Sequence, residues 1–103
     1  MKDSYQFNVA GVQFHELKLI IGDVHADDNI DLVPEPTNEY DPNAVRLYHG
    51  ETMVGFVPKQ ISAEVATMIE LFNATCTVIE CIPSAKPWEQ LNVKITKGEP
   101  KDE

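Results

Sequence analysis

Apolar and polar residues alternate at the start of the chain, with Tyr5, Phe7 and Val9 separated by Gln6, Asn8 and Ala10. That is the period of a strand half-buried on one face. Gly11 marks a turn, and after Val12 to His15 the stretch Glu16 to Ile21 fits a short helix and a strand equally well. Gly22 to Asn29 is a loop by composition, and Ile30 to Glu35 is a second strand. Asn43 to His49 and Thr52 to Val57 read as a hairpin through Gly50-Glu51, with glycine where a type II′ turn needs it. A two-residue loop pairs Val45 with Phe56 and Leu47 with Val54 on the core face, leaving Arg46, Tyr48 and Met53 on the other.

After Pro58 the period changes. Ile61, Val65, Met68 and Phe72 recur at helical spacing, with Glu64, Thr67 and Glu70 outside the stripe. Pro58 at the first helical position and Ser62 as a cap one turn later are both compatible starts. Thr75 to Ile82 and Glu89 to Lys97 are the last two strands. The elements predict a mainly β protein with one clear helix (α+β), a small, partly open barrel of five or six strands. Residues 1–97 form a single domain in this reading, and 98–103 form a mobile acidic tail with nothing to bury.

A chain of 103 residues is long enough for one core without disulfides. No apolar run approaches the length needed to cross a membrane, and the N-terminus lacks a secretory pattern, so a cytoplasmic protein is expected. The charge is more informative. Net charge is −9, and seven acids (Asp23, Asp27, Asp28, Asp31, Glu35, Glu39 and Asp41) fall between Lys18 and Arg46 with no lysine or arginine among them. A broad basic face for gripping duplex phosphates is therefore excluded, and any nucleic-acid contact is small and local.

Catalytic patterns are missing. The chain has no GxSxG, HExxH or CxxC and no glycine-rich phosphate loop, so neither an enzyme nor a cofactor is expected. Cys76 and Cys81 lie an odd number of residues apart in one strand, which places them on opposite faces as small apolar residues. Asp23, His25, Asp27, Asp28 and Asp31 offer ligand atoms, but the glycine and final glutamate of a calcium loop are absent, and no metal is expected.

The polar corner from Glu35 to Asn43 is stiffened by Pro36 and Pro42 and is dense in hydrogen-bonding groups. Its residues read EPxNxYDxNAV, and VGFVPK follows about ten residues later. These motifs resemble the HIRAN domain family, over a match that runs from Val9 to about Phe72 and is densest from Leu32 to Lys59. The resemblance implies an OB-like or SH3-like barrel that binds DNA at a single-stranded 3′ end, with little base specificity and no catalysis. It further implies a place in DNA repair, beside a DNA-processing helicase or nuclease. By the same resemblance, Asp41 accepts the terminal 3′-hydroxyl and Tyr40 and Phe14 stack on bases. Asn38 holds a phosphate or base edge, Lys59 contacts a phosphate, and Gln13 stands where DNA-binding members carry arginine. The charge pattern offers an alternative, an acidic protein-interaction module on the same barrel that has lost DNA binding and meets a basic protein.

Overall fold

A computed structural model describes residues 1–102. Six strands, β1 (Ser4–Asn8), β2 (Asn29–Pro34), β3 (Val45–His49), β4 (Thr52–Phe56), β5 (Thr75–Cys81) and β6 (Leu91–Thr96), form one antiparallel sheet in the order β1-β6-β5-β2-β3-β4. The sheet curls until its two ends meet. Ala10 and Phe56 exchange N–H···O bonds of 2.9 Å, linking the segment after β1 to the end of β4. The result is a small, partly open barrel, as the strand count predicts. The longer helix, α2 (Lys59–Leu71), packs Val65 and Met68 into the core. Burying each contributes about 1.5–3 kcal/mol.

The ambiguous stretch is helical. Val12–Phe14 makes a 3₁₀ turn, α1 (Leu17–Ile20) one short helical turn, and Ile21–Asp23 another 3₁₀ turn. Leu17 is fully buried, and Glu16 N–H donates to the Met53 carbonyl, which ties this segment to β4. Neither proposed start of α2 describes it fully. Pro58 is the cap residue just outside the helix, and Ser62, buried in the first turn, caps no free helix N–H; its hydroxyl is shared between Asp41 Oδ2 at 2.7 Å and the Lys59 carbonyl at 3.1 Å.

The hairpin keeps its two-residue loop, with His49 opposite Thr52 and Gly50 at φ 61°. Its register then departs from expectation. Tyr48 faces Met53, but Leu47 faces Gly55 and Arg46 faces Phe56, so β4 carries one extra residue, a bulge. Val45, Leu47 and Val54 are buried as expected, while Phe56 joins the outward face of Arg46 and is only half-buried. Gly55 explains why the bulge sits there. Its φ is 153°, and a Cβ at this position would lie 2.5 Å from both the Ala10 carbonyl oxygen and Val9 Cγ1. The bulge thus brings β4 against the segment after β1 and turns Phe56 out of the core.

A second bulge corrects the cysteine parity. Val78 pairs with Val93 but Cys81 with Leu91, so an extra residue in β5 returns Cys81 to the core-facing side it shares with Cys76. Both thiols are free, and burial pushes the Cys76 thiol up to about 12, far from reactive thiolate. At the other end, the described part of the segment read as a mobile tail, 98–102, lies along the end of α2, and Glu103 falls outside the described residues. Asn73 N–H donates to the Glu99 carbonyl and Lys101 N–H to the Leu71 carbonyl. Among the described residues, no helix is long and apolar enough to cross a membrane.

Candidate functional site

The polar corner between β2 and β3 is built by its own side chains. Asn38 Oδ1 accepts from the backbone N–H groups of both Tyr40 (2.8 Å) and Asp41 (3.0 Å), while its amide nitrogen donates to Glu35 Oε2 at 3.1 Å. Asparagine suits this work because its short amide mimics a turn of backbone. Glu35 is held in turn by the Arg46 guanidinium, which, with the Asn38 amide, keeps the carboxyl below the usual range. Glu35 N–H donates to the Ala44 carbonyl at 2.8 Å, closing the base of the loop. A chain of contacts therefore runs from Arg46 on β3 through Glu35 and Asn38 to the Tyr40-Asp41 backbone.

Asp41 is fixed from two further directions. Its Oδ1 accepts from Asn43 N–H at 2.9 Å, and its Oδ2 accepts from the Ser62 hydroxyl of α2 at 2.7 Å. Ser62 is 2% exposed, so this hydroxyl meets the carboxylate from inside the protein. The Ser62 bond first, then the Asn43 amide, hold the Asp41 carboxyl below the ordinary aspartate range, with Lys59 adding a smaller pull in the same direction. A carboxylate offers about four acceptor positions, so two are used and two remain.

These residues edge a groove of about 300 Å³. Its lining comprises Asn38, Tyr40, Asp41 and Lys59 together with Ala10, Gly11, Ala44, Phe56 and Val57. Tyr40 is 81% exposed, with its ring free to meet a ligand. Lys59, the first residue of α2, is the one cation in the lining among the described residues. The floor is mainly apolar, and Phe56 reaches it because of the β4 bulge. Four of the six predicted site residues thus share one groove.

Gln13 and Phe14 do not line it. Both are exposed on the 3₁₀ turn that follows Gly11, itself a lining residue, and Phe14 N–H donates to the Gly11 carbonyl at 3.0 Å. They extend the groove's edge. The turn of Pro87–Glu89 packs against this one and presents Trp88, more than half exposed, with Lys86 Nζ 5.5 Å from the ring centre. Sequence reading does not single out Trp88, although a lone tryptophan in a polar, proline-punctuated stretch is a usable signal. His15 packs its ring against Phe56 in a tilted contact, with centroids 5.5 Å apart. Ser62 is the other residue missed, because its partner is 21 positions away and no local pattern connects them.

The acidic loop before β2 is arranged differently. Asp28 Oδ2 accepts from His25 N–H at 2.9 Å and lies 2.8 Å from His49 Nε2, so this carboxylate ties the loop to β3. Among the described residues, no cluster of three or more histidine, cysteine or acidic side chains is arranged to hold a metal ion.

Residues 2–96 match the profile of the HIRAN domain. The crystal structure of the HIRAN domain of human HLTF superposes with a TM-score of 0.73 at 20% identity, over 93% of this chain and 76% of that one. A crystal structure of a protein from Lactobacillus plantarum gives a TM-score of 0.71 at 15% identity, over 92% and 93%. No curated protein matches the sequence significantly. At these identities the superpositions speak to the fold.

Proposed function

The chain belongs to the HIRAN domain family, a family of DNA-binding modules, and from that premise we propose that its groove holds the 3′ end of a single DNA strand without catalysing a reaction on it. The observation that carries this reading is the setting of Asp41. Its carboxylate is clamped by Asn43 and Ser62, keeps free acceptor positions, and lies in one groove with an exposed tyrosine and a lysine.

A terminal 3′-hydroxyl is a donor that internal nucleotides lack, and an ionised carboxylate only accepts. Asp41 is therefore suited to receive that proton, and its depressed pKa keeps it ionised throughout the neutral range. A 3′-phosphate in the same place meets the carboxylate with like charge, so selection and rejection come from one group. Tyr40, the Phe56 floor and the neighbouring Phe14 and Trp88 offer apolar faces to bases. Stacking contributes about 1–3 kcal/mol per base and depends little on which base it is. Asn38 acts here as a positioning residue that aims the Tyr40-Asp41 backbone, and Lys59 meets a phosphate.

With Gln13 uncharged and Lys59 the groove's only cation among the described residues, few counterions are released on binding. One or two phosphate contacts give a salt slope of about −0.7 to −1.4. The decisive experiment titrates a fluorescent oligonucleotide ending in a 3′-hydroxyl against the same strand ending in a 3′-phosphate. We expect at least about tenfold weaker binding of the phosphorylated strand, about 1.4 kcal/mol. Asp41→Asn should erase that discrimination. Equal affinities for the two strands in the native protein would remove Asp41 from this role, and failure of both to bind at low salt would leave the acidic protein-interaction module as the better reading.

A further inference from the structure

A second surface, bordered by the corner prolines, shares only Ala44 with the groove among the described lining residues. Strand β2 changes partner partway along, pairing with β3 from Asp31 to Pro34 and with β5 only at Asn29 and Ile30. Against β3, Asp31 faces Tyr48, Leu32 faces Leu47, Val33 faces Arg46 and Pro34 faces Val45. Against β5 the register covers only Asn29 with Thr77 and Ile30 with Cys76.

The pairing pattern says which backbone groups are left over. Glu35 N–H donates to the Ala44 carbonyl in the same register, which makes Val33 and Asp31 the hydrogen-bonded partners of β3. The intervening residues therefore direct their backbone groups the opposite way. Asp28 accepts from Val78 N–H at 2.9 Å and Ile30 pairs with Cys76, so the next position on that side is Leu32 opposite Ala74. That bond is not made, because Ala74 N–H is turned back onto the Phe72 carbonyl at 3.0 Å. The Leu32 N–H and C=O and the Pro34 C=O thus face an open edge among the described residues.

A cavity of about 340 Å³ lies where the ladder opens, between Ile30 and Leu32 on one side and Ile69, Phe72 and Ala74 on the other. A second, of about 320 Å³, continues it past Pro34, Pro36, Ala66 and Ile69. Ile69 and Lys101 border both. Alternate residues of an extended chain lie on the same face, about 6.8 Å apart, so two such side chains can enter successive cavities while the backbone between them pairs with Leu32. Asp31 and Glu70 stand at the borders of the two cavities against the single Lys101, and Asp27 and Asp28 precede β2 on the same strand path.

We propose that the open edge of β2 is a docking site for an extended segment of a partner protein, which adds as a strand at Leu32, places two alternating apolar side chains in the flanking cavities, and carries basic residues toward Asp31 and Glu70. Unpaired edge groups favour strand addition over helix docking, and the excess of acids sets the charge of the partner. Pro34 has no N–H to offer, so the added pairing is short and centred on Leu32.

The test uses the whole chain, isotopically labelled, and a synthetic peptide, Lys-Thr-Val-Thr-Val-Thr-Lys with blocked ends. In the free protein the Leu32 amide should exchange with solvent faster than those of Asp31 and Val33, which β3 protects. Adding the peptide should shift the amides of Leu32, Ile69 and Ala74 and slow exchange at Leu32. A twin methylated on the central backbone nitrogens, and another with glutamate in place of both lysines, should each bind at least tenfold more weakly. Slow Leu32 exchange in the free protein, or equal binding of the methylated peptide, overturns the proposal. So does a single-stranded oligonucleotide that shifts Leu32 in place of the groove residues.

Discussion

Asp28 and Asp41 are anchored by the same plan and put to different use. Each accepts a backbone N–H from a near neighbour, His25 for one and Asn43 for the other. Each also reaches a side chain 21 positions onward, His49 or Ser62. Each carboxyl is lowered from the ordinary range by these bonds. What separates them is the company they keep. Asp41 opens onto a groove with an exposed ring and a lysine, whereas Asp28 lines none of the cavities described above. An anchored carboxylate is thus a structural tie by default. It becomes a recognition group only where the fold leaves it free acceptor positions facing a cavity.

The largest effect should come from removing the cavity itself. Gly55→Val places side-chain atoms where Ala10 and Val9 already stand, at a φ that valine avoids. Strain and overpacking together should cost about 2–6 kcal/mol. Urea denaturation should show this loss, and any folded fraction should bind oligonucleotide poorly because Phe56 no longer floors the groove. A variant with native stability would mean that the bulge does not hold β4 against the segment after β1.

Next in size is the ring. Tyr40→Ala should weaken oligonucleotide binding by about 1–3 kcal/mol while leaving the melting temperature within a degree or two, since an 81% exposed side chain supports little of the fold. Asp28→Asn is the matched control from the other anchored site, and it should leave oligonucleotide affinity unchanged. If Asp28→Asn weakened binding as much as Tyr40→Ala does, the two sites would not be separate.

Much of this was legible in the sequence, for identifiable reasons. Alternation exposed β1, and the four-three-four stripe exposed α2, because each period is set by backbone geometry acting locally. The corner was legible because prolines and Asx residues act within a few positions. The extra residue in β4 was not, since a bulge is fixed by which distant segment a glycine must approach, here Ala10. The same holds for β5, where the extra residue reversed the parity of Cys81. Ser62 looked like a cap from its position in the helix, yet its hydroxyl is drawn to a carboxylate on another element. Phe14 and Gln13 were placed beside the groove by family likeness, and the turn after Gly11 sets them on its edge, outside the lining.

The smallest effect separates the two carboxylates by what anchors them most. For Asp41 the leading cause of the lowered pKa is the Ser62 hydroxyl, whereas for Asp28 it is the His25 backbone amide, with His49 second. Removing the remote partner should therefore move them unequally. In a carbon-13 titration of the side-chain carboxyls, Ser62→Ala should raise Asp41 toward the ordinary aspartate range more than His49→Ala raises Asp28. The sign for stability follows from linkage. A carboxyl lowered on folding stabilises the protein above its unfolded pKa of about 4, and that contribution fades as pH falls through the folded value. Acid unfolding of Ser62→Ala should accordingly be shallower than that of the native protein below pH about 4, because part of its proton-linked stability is already gone. If His49→Ala produced the larger carboxyl shift, the imidazole would be the main anchor of Asp28, and the loop before β2 would loosen on losing it in a way the corner does not.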